Sequence, residues 1–452
     1  MLALLTQAQI LAHPALATPV GDPVAAACAR MRGAGQWHPR QSLGRRFATG
    51  CIALEVTQRC NLDCSLCYLS DSAEAIHDIP LAELLRRIAA IRSELGPHTE
   101  VQVTGGDPTL RDRTELVAVV RAIAAAGMRP SLFTNGIRAT HDLLAELAAA
   151  GLQDVAFHVD LTQERVGYPT EAALNALRRE YIDRARGLPL AVVFNTTVFD
   201  GNIAELPMLA GFFRDHAAAV NLVSFQLQAA TGRGTLGSRA TPINKDSVAA
   251  ALSAGLGTKL RFDNLAVGHA DCNRYGLALI AAGQAHDLLD DPSVVAAILE
   301  AMGTAPFDRA RPARRAGQLI ARVLARPRLA IRILPWAAAK LWAMRRDLAA
   351  ARFRPDKLTF FIHDFMDAAA LEPDRIAACA FLVATADGPM SMCLHNAKRD
   401  QMLLRPLPAD EGWWDPLTGE TRAEPLQPAP PLLTRKTAKG RRRVEIDHRM
   451  GR

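Results

Sequence analysis

Cysteine and uninterrupted apolar sequence are both scarce in this chain. Only eight of its 452 residues are cysteine, which is too few for a disulfide scaffold. No stretch approaches the roughly 18 apolar residues of a membrane-spanning helix, and the apolar N-terminus lacks the positive leading segment of a signal peptide. With 49% hydrophobic and 22% charged residues, the chain can bury one or two full cores, and its length predicts two or three domains. We therefore expect a cytoplasmic protein that does not span a membrane.

Positive charge is concentrated in one segment. The chain carries a net charge of +7, but residues 309–354 alone contain thirteen Lys or Arg and one acid, Asp347, so the remainder is net acidic. Leu, Ile and Trp mix there with Arg at helical spacing, and Pro312, Pro327 and Pro335 are expected to divide the segment into short helices. Such a composition is typical of helices that lie on an anionic membrane surface. The alternative is an amphipathic helix packed on the core with solvated arginines. Nucleic-acid binding is not expected, because the apolar content is high and no aromatic ladder is present.

Strand-like and helix-like patterns alternate between residues 50 and 245. The strand-like runs are 51–58, 101–106, 130–136, 154–161, 190–198 and 221–228, and helical periodicity lies between them at 81–95, 114–127, 141–151 and 171–186. Alternation of this regularity predicts a parallel α/β barrel or a doubly wound sheet. In such folds the chemistry takes place at the carboxyl ends of the strands.

Three of the cysteines share one loop directly after the first predicted strand. Cys60, Cys64 and Cys67 supply three soft ligands, which can hold three irons of a [4Fe-4S] cube and leave the fourth iron open to a small chelating molecule. The alternatives are a structural zinc loop, which would need a fourth Cys or His nearby, and a thioredoxin-like pair.

A glycine-rich turn follows the second predicted strand. Gly105, Gly106 and Asp107 allow the backbone to approach a ligand and offer polar groups for an ammonium or a carboxylate. Taken alone, such a turn is ordinary. One strand-helix unit after the cysteine loop, it reinforces the prediction of a cofactor site.

This combination resembles the radical S-adenosylmethionine (SAM) superfamily over about residues 50–240. The resemblance implies a partial (β/α)6 barrel in which the three cysteines carry the cluster and SAM chelates its open iron. It further implies that Gly105, Gly106 and Asp107 receive the methionine amino group. Asp160 and Asn195 stand where ribose contacts would lie, with a plain strand-end role as the alternative. Leu66 replaces a common aromatic residue, and Asp107 replaces the commoner Glu.

The implied chemistry is reductive cleavage of SAM to a 5′-deoxyadenosyl radical, followed by hydrogen abstraction from an unactivated carbon. The expected reductant is a ferredoxin or a flavodoxin. The sequence names no catalytic acid or radical relay, and Tyr68 and Tyr275 are candidates only through their neighbours.

Three later cysteines form a second candidate metal set. Cys272, Cys379 and Cys393 would bind an auxiliary iron-sulfur cluster if folding joins them, with an iron left open or bound by Cys51, His269, Asp271 or His395. Buried inert thiols are the alternative.

The C-terminal half resembles the branch of archaeal tetraether lipid synthase and related pterin-methylating proteins. The matching stretches are Ser224–Gln228, Thr231–Arg233, Arg239–Pro242, Cys272, Phe365–Ala368, Asp374–Cys379 and Asp387–Asn396. The chain departs from that branch at its N-terminus, where Cys28 stands alone and is read as structural.

The predicted organisation has six parts: an extension (1–49), the partial barrel (50–245), a helical region with Cys272 (246–305), the basic helical segment (306–357), an auxiliary-cluster segment (358–404) and a flexible tail (405–452). The function that these features favour is radical modification of a lipid chain by carbon–carbon coupling or alkylation. The alternatives are a radical SAM maturase or methylase of a peptide or soluble metabolite, and a non-catalytic iron-sulfur protein at a membrane.

Overall fold

The computed structural model describes residues 4–234, 242–303 and 312–425. The strands are β1 (Cys51–Thr57), β2 (Glu100–Gly105), β3 (Arg129–Thr134), β4 (Asp154–His158), β5 (Ala191–Val198), β6 (Val220–Leu227), β7 (Asn273–Ala281), β8 (Gln284–Asp287), β9 (Asp356–His363), β10 (Phe381–Thr385), β11 (Gly388–Ser391), β12 (Leu407–Ala409), β13 (Gly412–Trp414) and β14 (Thr421–Arg422).

The α-helices are α1 (Gln7–Ala12), α2 (Pro23–Gly33), α3 (Leu81–Leu95), α4 (Arg113–Ala125), α5 (His141–Ala149), α6 (Glu171–Ala185), α7 (Leu206–Asp215), α8 (Lys245–Leu256), α9 (Pro292–Met302), α10 (Pro312–Leu324), α11 (Pro327–Ala350), α12 (Pro373–Ala377), α13 (Met392–Ala397) and α14 (Arg399–Leu403). Short 3-10 helices lie at Ala73–Ala75, Pro108–Leu110, Leu161–Gln163 and Ile203–Glu205.

One sheet of eleven strands organises most of the molecule, in the order β11-β10-β1-β2-β3-β4-β5-β6-β9-β7-β8. Strands β1 to β6 are all parallel and are joined through helices, which confirms the predicted partial barrel. Parallel β10 and β9 extend it on either side, so the C-terminal part of the chain completes the same sheet.

Apolar residues on the outer face of the strands pack against amphipathic helices. In β1, Ile52, Leu54 and Val56 alternate on this face and are fully buried, and in α3, Leu84 and Ile88 are one turn apart and face the same core. Burying each such side chain contributes about 1.5–3 kcal/mol to folding.

The two flanks of the barrel meet at an aromatic cluster. The ring centroid of His363 at the end of β9 lies 4.5 Å from that of Phe381 at the start of β10, and Phe361 lies 5.5 Å from the same ring. Strands β9 and β10 are not neighbours in the hydrogen-bonded order, so side-chain packing closes this seam.

The structure differs from the sequence-based expectations in three places. The region predicted as helical contains the antiparallel strands β7 and β8, because pairing with β9 outweighs the helix propensity of its alanines. Pro335 does not break α11, and it lies on the exposed side, where water can reach the carbonyl that loses its partner. The predicted tail begins with a small sheet of β12 to β14 that buries Trp414; residues 426–452 lie outside the described residues.

Candidate active site

The cysteine loop after β1 is fixed to the carboxyl ends of the other strands. Ser65 N–H donates to the carbonyl of Thr162 in the 3-10 helix after β4 (2.7 Å), and the side chain of Asn135 after β3 donates to Asn61 (2.6 Å). Beyond β6, Gly234 N–H donates to the Cys67 carbonyl (2.9 Å). The loop therefore lies where a parallel barrel places its chemistry, as predicted.

The three thiols of this loop suit a cubane cluster. None of them is in a disulfide. Burial raises the pKa of Cys60 to about 12 and that of Cys64 well above its usual range, and the neighbouring thiols add to both shifts. No group of three His, Cys, Asp or Glu within the described ranges converges on a single metal ion. A cube instead needs thiolates spread over three corners, which one loop with three spaced cysteines provides.

The turn after β2 lies against the start of the cysteine loop with no room for a side chain. Gly105 has φ +125°, and a Cβ there would lie 2.0 Å from the Thr57 carbonyl oxygen. A Cβ on Gly106 would lie 1.9 Å from the carbonyl oxygen of Arg59, which directly precedes Cys60. Glycine at both positions is what lets this backbone come so close to the loop.

Asp107 is fully buried and its carboxylate is already saturated. It accepts hydrogen bonds from Thr109 and Thr134 and from Asn135 N–H at 2.8 Å. The side chain therefore joins the ends of β2 and β3, and the backbone of the turn is what remains for a ligand.

The two residues predicted near a ribose, Asp160 and Asn195, differ in whether their side chains are free to bind a ligand. Asp160 is fully buried and accepts from His158 (2.7 Å), from both the N–H and hydroxyl of Thr162, and from Thr197 N–H. Burial would raise its pKa, but the interactions with His158, Thr162 and Thr197 lower it to about 2. This geometry favours the strand-end alternative for Asp160. Asn195 lies on β5, where it is paired with His158 of β4. Its side chain makes no hydrogen bond within the described part of the chain, so it can contact a ligand.

A sequence model of the radical SAM superfamily matches residues 54–212, which contain the cysteine loop and the ends of β1 to β5. Residues 54–212 are thus similar to the radical SAM superfamily. The radical SAM superfamily uses a [4Fe-4S] cluster and SAM as cofactors.

The chain is similar to proteins of different named activities. The chain is 27% identical to the 7,8-dihydro-6-hydroxymethylpterin dimethyltransferase of Methanocaldococcus jannaschii, over 40% of this chain and 36% of that one. It is also 27% identical to the PqqA peptide cyclase of Bradyrhizobium diazoefficiens, over 34% of this chain and 41% of that one. Among solved structures, Streptococcus suis SuiB bound to S-adenosylmethionine aligns with a TM-score of 0.33 at 12% identity, over 42% and 43% of the two chains. The chain thus spans about two fifths of the length of these curated relatives.

Arg233, beyond the end of β6, contacts the cysteine loop and was not predicted as a site residue. Its backbone N–H donates to the Leu69 carbonyl (2.8 Å), and its guanidinium pairs with Glu74 (2.7 Å) and reaches the Leu62 carbonyl (3.5 Å). Its side chain also interacts with Cys67. Only its place in a Thr-Gly-Arg stretch marked it in the sequence, because the approach of β6 to the loop depends on the fold.

The second cysteine set is brought together by the fold. Burial raises the pKa of Cys272 to about 11 and also raises the pKa of Cys393. The charge of the Cys379 thiol adds to both shifts, so the three thiols lie near one another. Arg375 lies among them, with Nε 3.3 Å from Cys272 Sγ, and Met366 N–H donates to Cys393 Sγ (3.5 Å). These thiols are neighbours, and they do not converge on a single ion within the described ranges.

The basic segment forms two helices, α10 and α11, that share an apolar cluster with α9. Among the described residues, no helix is both long enough and apolar enough to cross a membrane. Arg239, one of the residues in the lipid-synthase resemblance, lies outside the described residues.

Proposed function

We propose that this enzyme reductively cleaves SAM and abstracts hydrogen from an unactivated carbon of a lipid chain, for carbon–carbon coupling or alkylation. The cluster supplies the electron that cleaves SAM, and SAM supplies the radical. Cys60, Cys64 and Cys67 would hold the cluster, while the Gly105–Gly106 backbone and Asn195 would contact SAM.

The protein's own contribution is orientation and shielding. The buried Asp107 and Asp160 carboxylates fix the ends of β2 to β5, so the ligand-facing backbone is held before SAM arrives. The cysteine loop, braced by Arg233, lies at the same edge of the barrel. Electrons would come from a ferredoxin or a flavodoxin.

The proposal of a lipid substrate rests on the outer face of α11. Ile331, Leu334, Leu341 and Trp342 recur at helical spacing and are exposed, Ile331 at 76% and Trp342 at 69%, whereas Leu329, Ile333 and Met344 on the opposite face are buried. A helix with a second, solvent-facing apolar stripe is typical of proteins that lie on a membrane surface.

Arginines flank this exposed stripe. Arg328, Arg332, Arg345 and Arg346 are exposed on α11, and each cation near an anionic leaflet contributes up to about 1 kcal/mol to binding. The charge of the stripe therefore favours a peripheral contact with an anionic membrane, which would present lipid chains to the enzyme.

The test is a dithionite-driven assay for 5′-deoxyadenosine after anaerobic reconstitution, with and without membrane lipid extract. We expect lipid to stimulate turnover and deuterium to pass from labelled acyl chains into deoxyadenosine. Cys64→Ala should abolish SAM cleavage because the cluster loses one of three ligands, and retained cleavage would contradict the site. Turnover indifferent to lipid would contradict the substrate.

A soluble substrate is the second candidate function, favoured by the polar strand ends. His158, Thr197 and Gln226 are partly exposed near the carboxyl ends of β4, β5 and β6, where a peptide or polar metabolite could hydrogen-bond. The peptide cyclase among the relatives supports this alternative. Deuterium transfer from a labelled peptide or from soluble metabolites, with none from lipid, would favour it.

A further inference from the structure

A buried ion pair joins the first strand to the last helices. Arg399 of α14 donates from Nη1 to both carboxylate oxygens of Glu55 on β1, each at 2.8 Å, and both side chains are buried. Gln58 donates to the same carboxylate (2.9 Å), and Asn396 accepts from Arg399 Nη2 (2.8 Å). None of these groups has a role in the chemistry described above.

Stability alone does not account for this pair. Its surroundings are incompletely satisfied, because Arg399 Nε, Gln58 Oε1 and His395 Nδ1 lack hydrogen-bond partners within the described residues. An adjoining cavity of about 20 Å³, lined partly by Glu55, Gln58 and His395, has room for one water. Since the desolvation of two charges offsets much of their attraction, an apolar pair would serve folding as well.

The pair is connected to the cofactor site through one tyrosine. The guanidinium of Arg399 lies 4.7 Å from the ring centroid of Tyr68, which directly follows Cys67. The Tyr68 hydroxyl donates to the Gly105 carbonyl oxygen at 2.5 Å. A cation over an aromatic face restricts the ring, and the ring then directs its hydroxyl.

That hydroxyl completes a clamp on a single peptide plane. The Gly105–Gly106 peptide has its carbonyl held by Tyr68, while its N–H donates to the Thr57 carbonyl at 2.9 Å. Because a peptide unit is planar, holding both ends fixes its orientation. Two glycines would otherwise leave this segment unusually free to rotate.

We propose that Arg399 is a positioning residue for SAM binding, which fixes the Gly105–Gly106 peptide through the ring and hydroxyl of Tyr68. The C-terminal helices would thereby set the geometry of the cofactor turn on β2. The proposal rests on the proposed assignment of that turn to the methionine end of SAM.

Two variants test the clamp without leaving an isolated buried charge. Tyr68→Phe removes only the hydroxyl, and the double variant Glu55→Gln with Arg399→Gln removes the cation while neutralising its partner. Losing one hydrogen bond to the turn should raise KM for SAM about three- to tenfold in either variant, with kcat little changed. Combining all three substitutions should add little, because they act along one path. Arg405→Gln, which breaks an exposed pair with Asp387 nearby, is the matched control and should match wild type.

The second readout is the electron paramagnetic resonance spectrum of the reduced cluster, which responds directly to a chelating ligand on its iron. The two variants should need three- to tenfold more SAM to change this spectrum. An unchanged SAM requirement in both variants, with only the unfolding midpoint lowered, would make the pair purely structural and overturn the proposal. Failure of SAM to change the wild-type spectrum would instead overturn the proposed cofactor site itself.

Discussion

At the scale of single residues, Gly106 sets the closest approach in the site. A Cβ at this position would meet the Arg59 carbonyl oxygen at 1.9 Å, so Gly106→Ala must push the turn away from the cysteine loop. A displacement of about 1 Å at a catalytic site can cost on the order of 100-fold, and we expect a loss of that size in SAM cleavage.

The control for this substitution is Gly33→Ala at the end of α2, where an added Cβ meets no atom within 4 Å and φ is not positive. Circular dichroism should be unchanged in both variants, and titration of SAM against the reduced cluster measures the affinity. Wild-type SAM affinity and turnover in Gly106→Ala would mean that the turn does not face the cofactor.

His363 makes folding stability depend on pH. Burial, and to a smaller extent Arg375, lower its pKa to about 3, whereas in the unfolded chain it titrates near 6.5. Between these values the unfolded chain binds more protons, so the free energy of unfolding falls as pH falls below about 6.5. Phenylalanine preserves the packing against Phe361, Phe365 and Phe381 but cannot titrate.

We therefore expect His363→Phe to lose about 1.4 kcal/mol less stability than wild type between pH 7.5 and pH 5.5, measured by anaerobic urea unfolding. The sign follows because only the wild-type unfolded chain gains a proton at this position. Equal losses in the two proteins would show that His363 titrates alike in both states.

The residues that sequence reasoning found and missed differ in how local their signal is. Cys60, Cys64 and Cys67 are predicted as cluster ligands from the sequence because their spacing places three soft ligands in one loop. Arg233 and Arg399 reach the same loop from distant parts of the chain, and no local pattern marks a side chain whose partner is chosen by the fold.

At the scale of elements, the exposed stripe of α11 predicts a separable membrane contact. Ile331→Gln with Trp342→Gln removes two large exposed apolar side chains, and burying each contributes about 1.5–3 kcal/mol. Binding to vesicles containing anionic lipid, measured by co-sedimentation, should therefore weaken at least tenfold, a conservative lower bound for that loss.

The control for the stripe is Val166→Gln, which changes an equally exposed apolar residue elsewhere. SAM cleavage without lipid should be unchanged in both variants, since α11 lies outside the barrel. Vesicle binding that survives the double substitution, or that is equal on neutral vesicles, would mean that the stripe does not contact an anionic membrane.

Strand and helix prediction succeeded where pattern and pairing agree. The six barrel strands carry β-branched runs and pair with their sequence neighbours, so periodicity was sufficient. Strands β7 and β8 were predicted as helical, because the Ala- and Leu-rich sequence of β7 also suits a helix. The partner of β7 is β9, which lies beyond α9 to α11 in the sequence, so no local pattern indicates the pairing. The first part of the predicted flexible tail is instead ordered, because β12 to β14 pack Trp414 into the core, a contact that the local sequence does not reveal.

At the scale of the whole molecule, the C-terminal part and the barrel are one structure. Strands β9 and β10 extend the barrel on its two sides, and their aromatic side chains meet at the seam. The second cysteine set lies at this seam: Cys272 precedes β7 beside the end of β9, and Cys379 precedes β10. The loop after β9 also contacts the loop after β6, where Ala230 N–H donates to Asp367.

This arrangement leads to a prediction about iron content. If the seam cysteines hold the auxiliary cluster that the sequence predicts, the reconstituted chain should bind about eight irons, as two four-iron cubes. Substituting Cys272, Cys379 and Cys393 together with Ala should reduce this to about four, because the loop of Cys60 to Cys67 is untouched. The matched control is Cys28→Ala, which should leave the count unchanged. Arg375, 3.3 Å from Cys272, would have to turn aside to admit the cluster. About four irons in the wild-type chain would instead make the seam thiols part of the packing that closes the barrel.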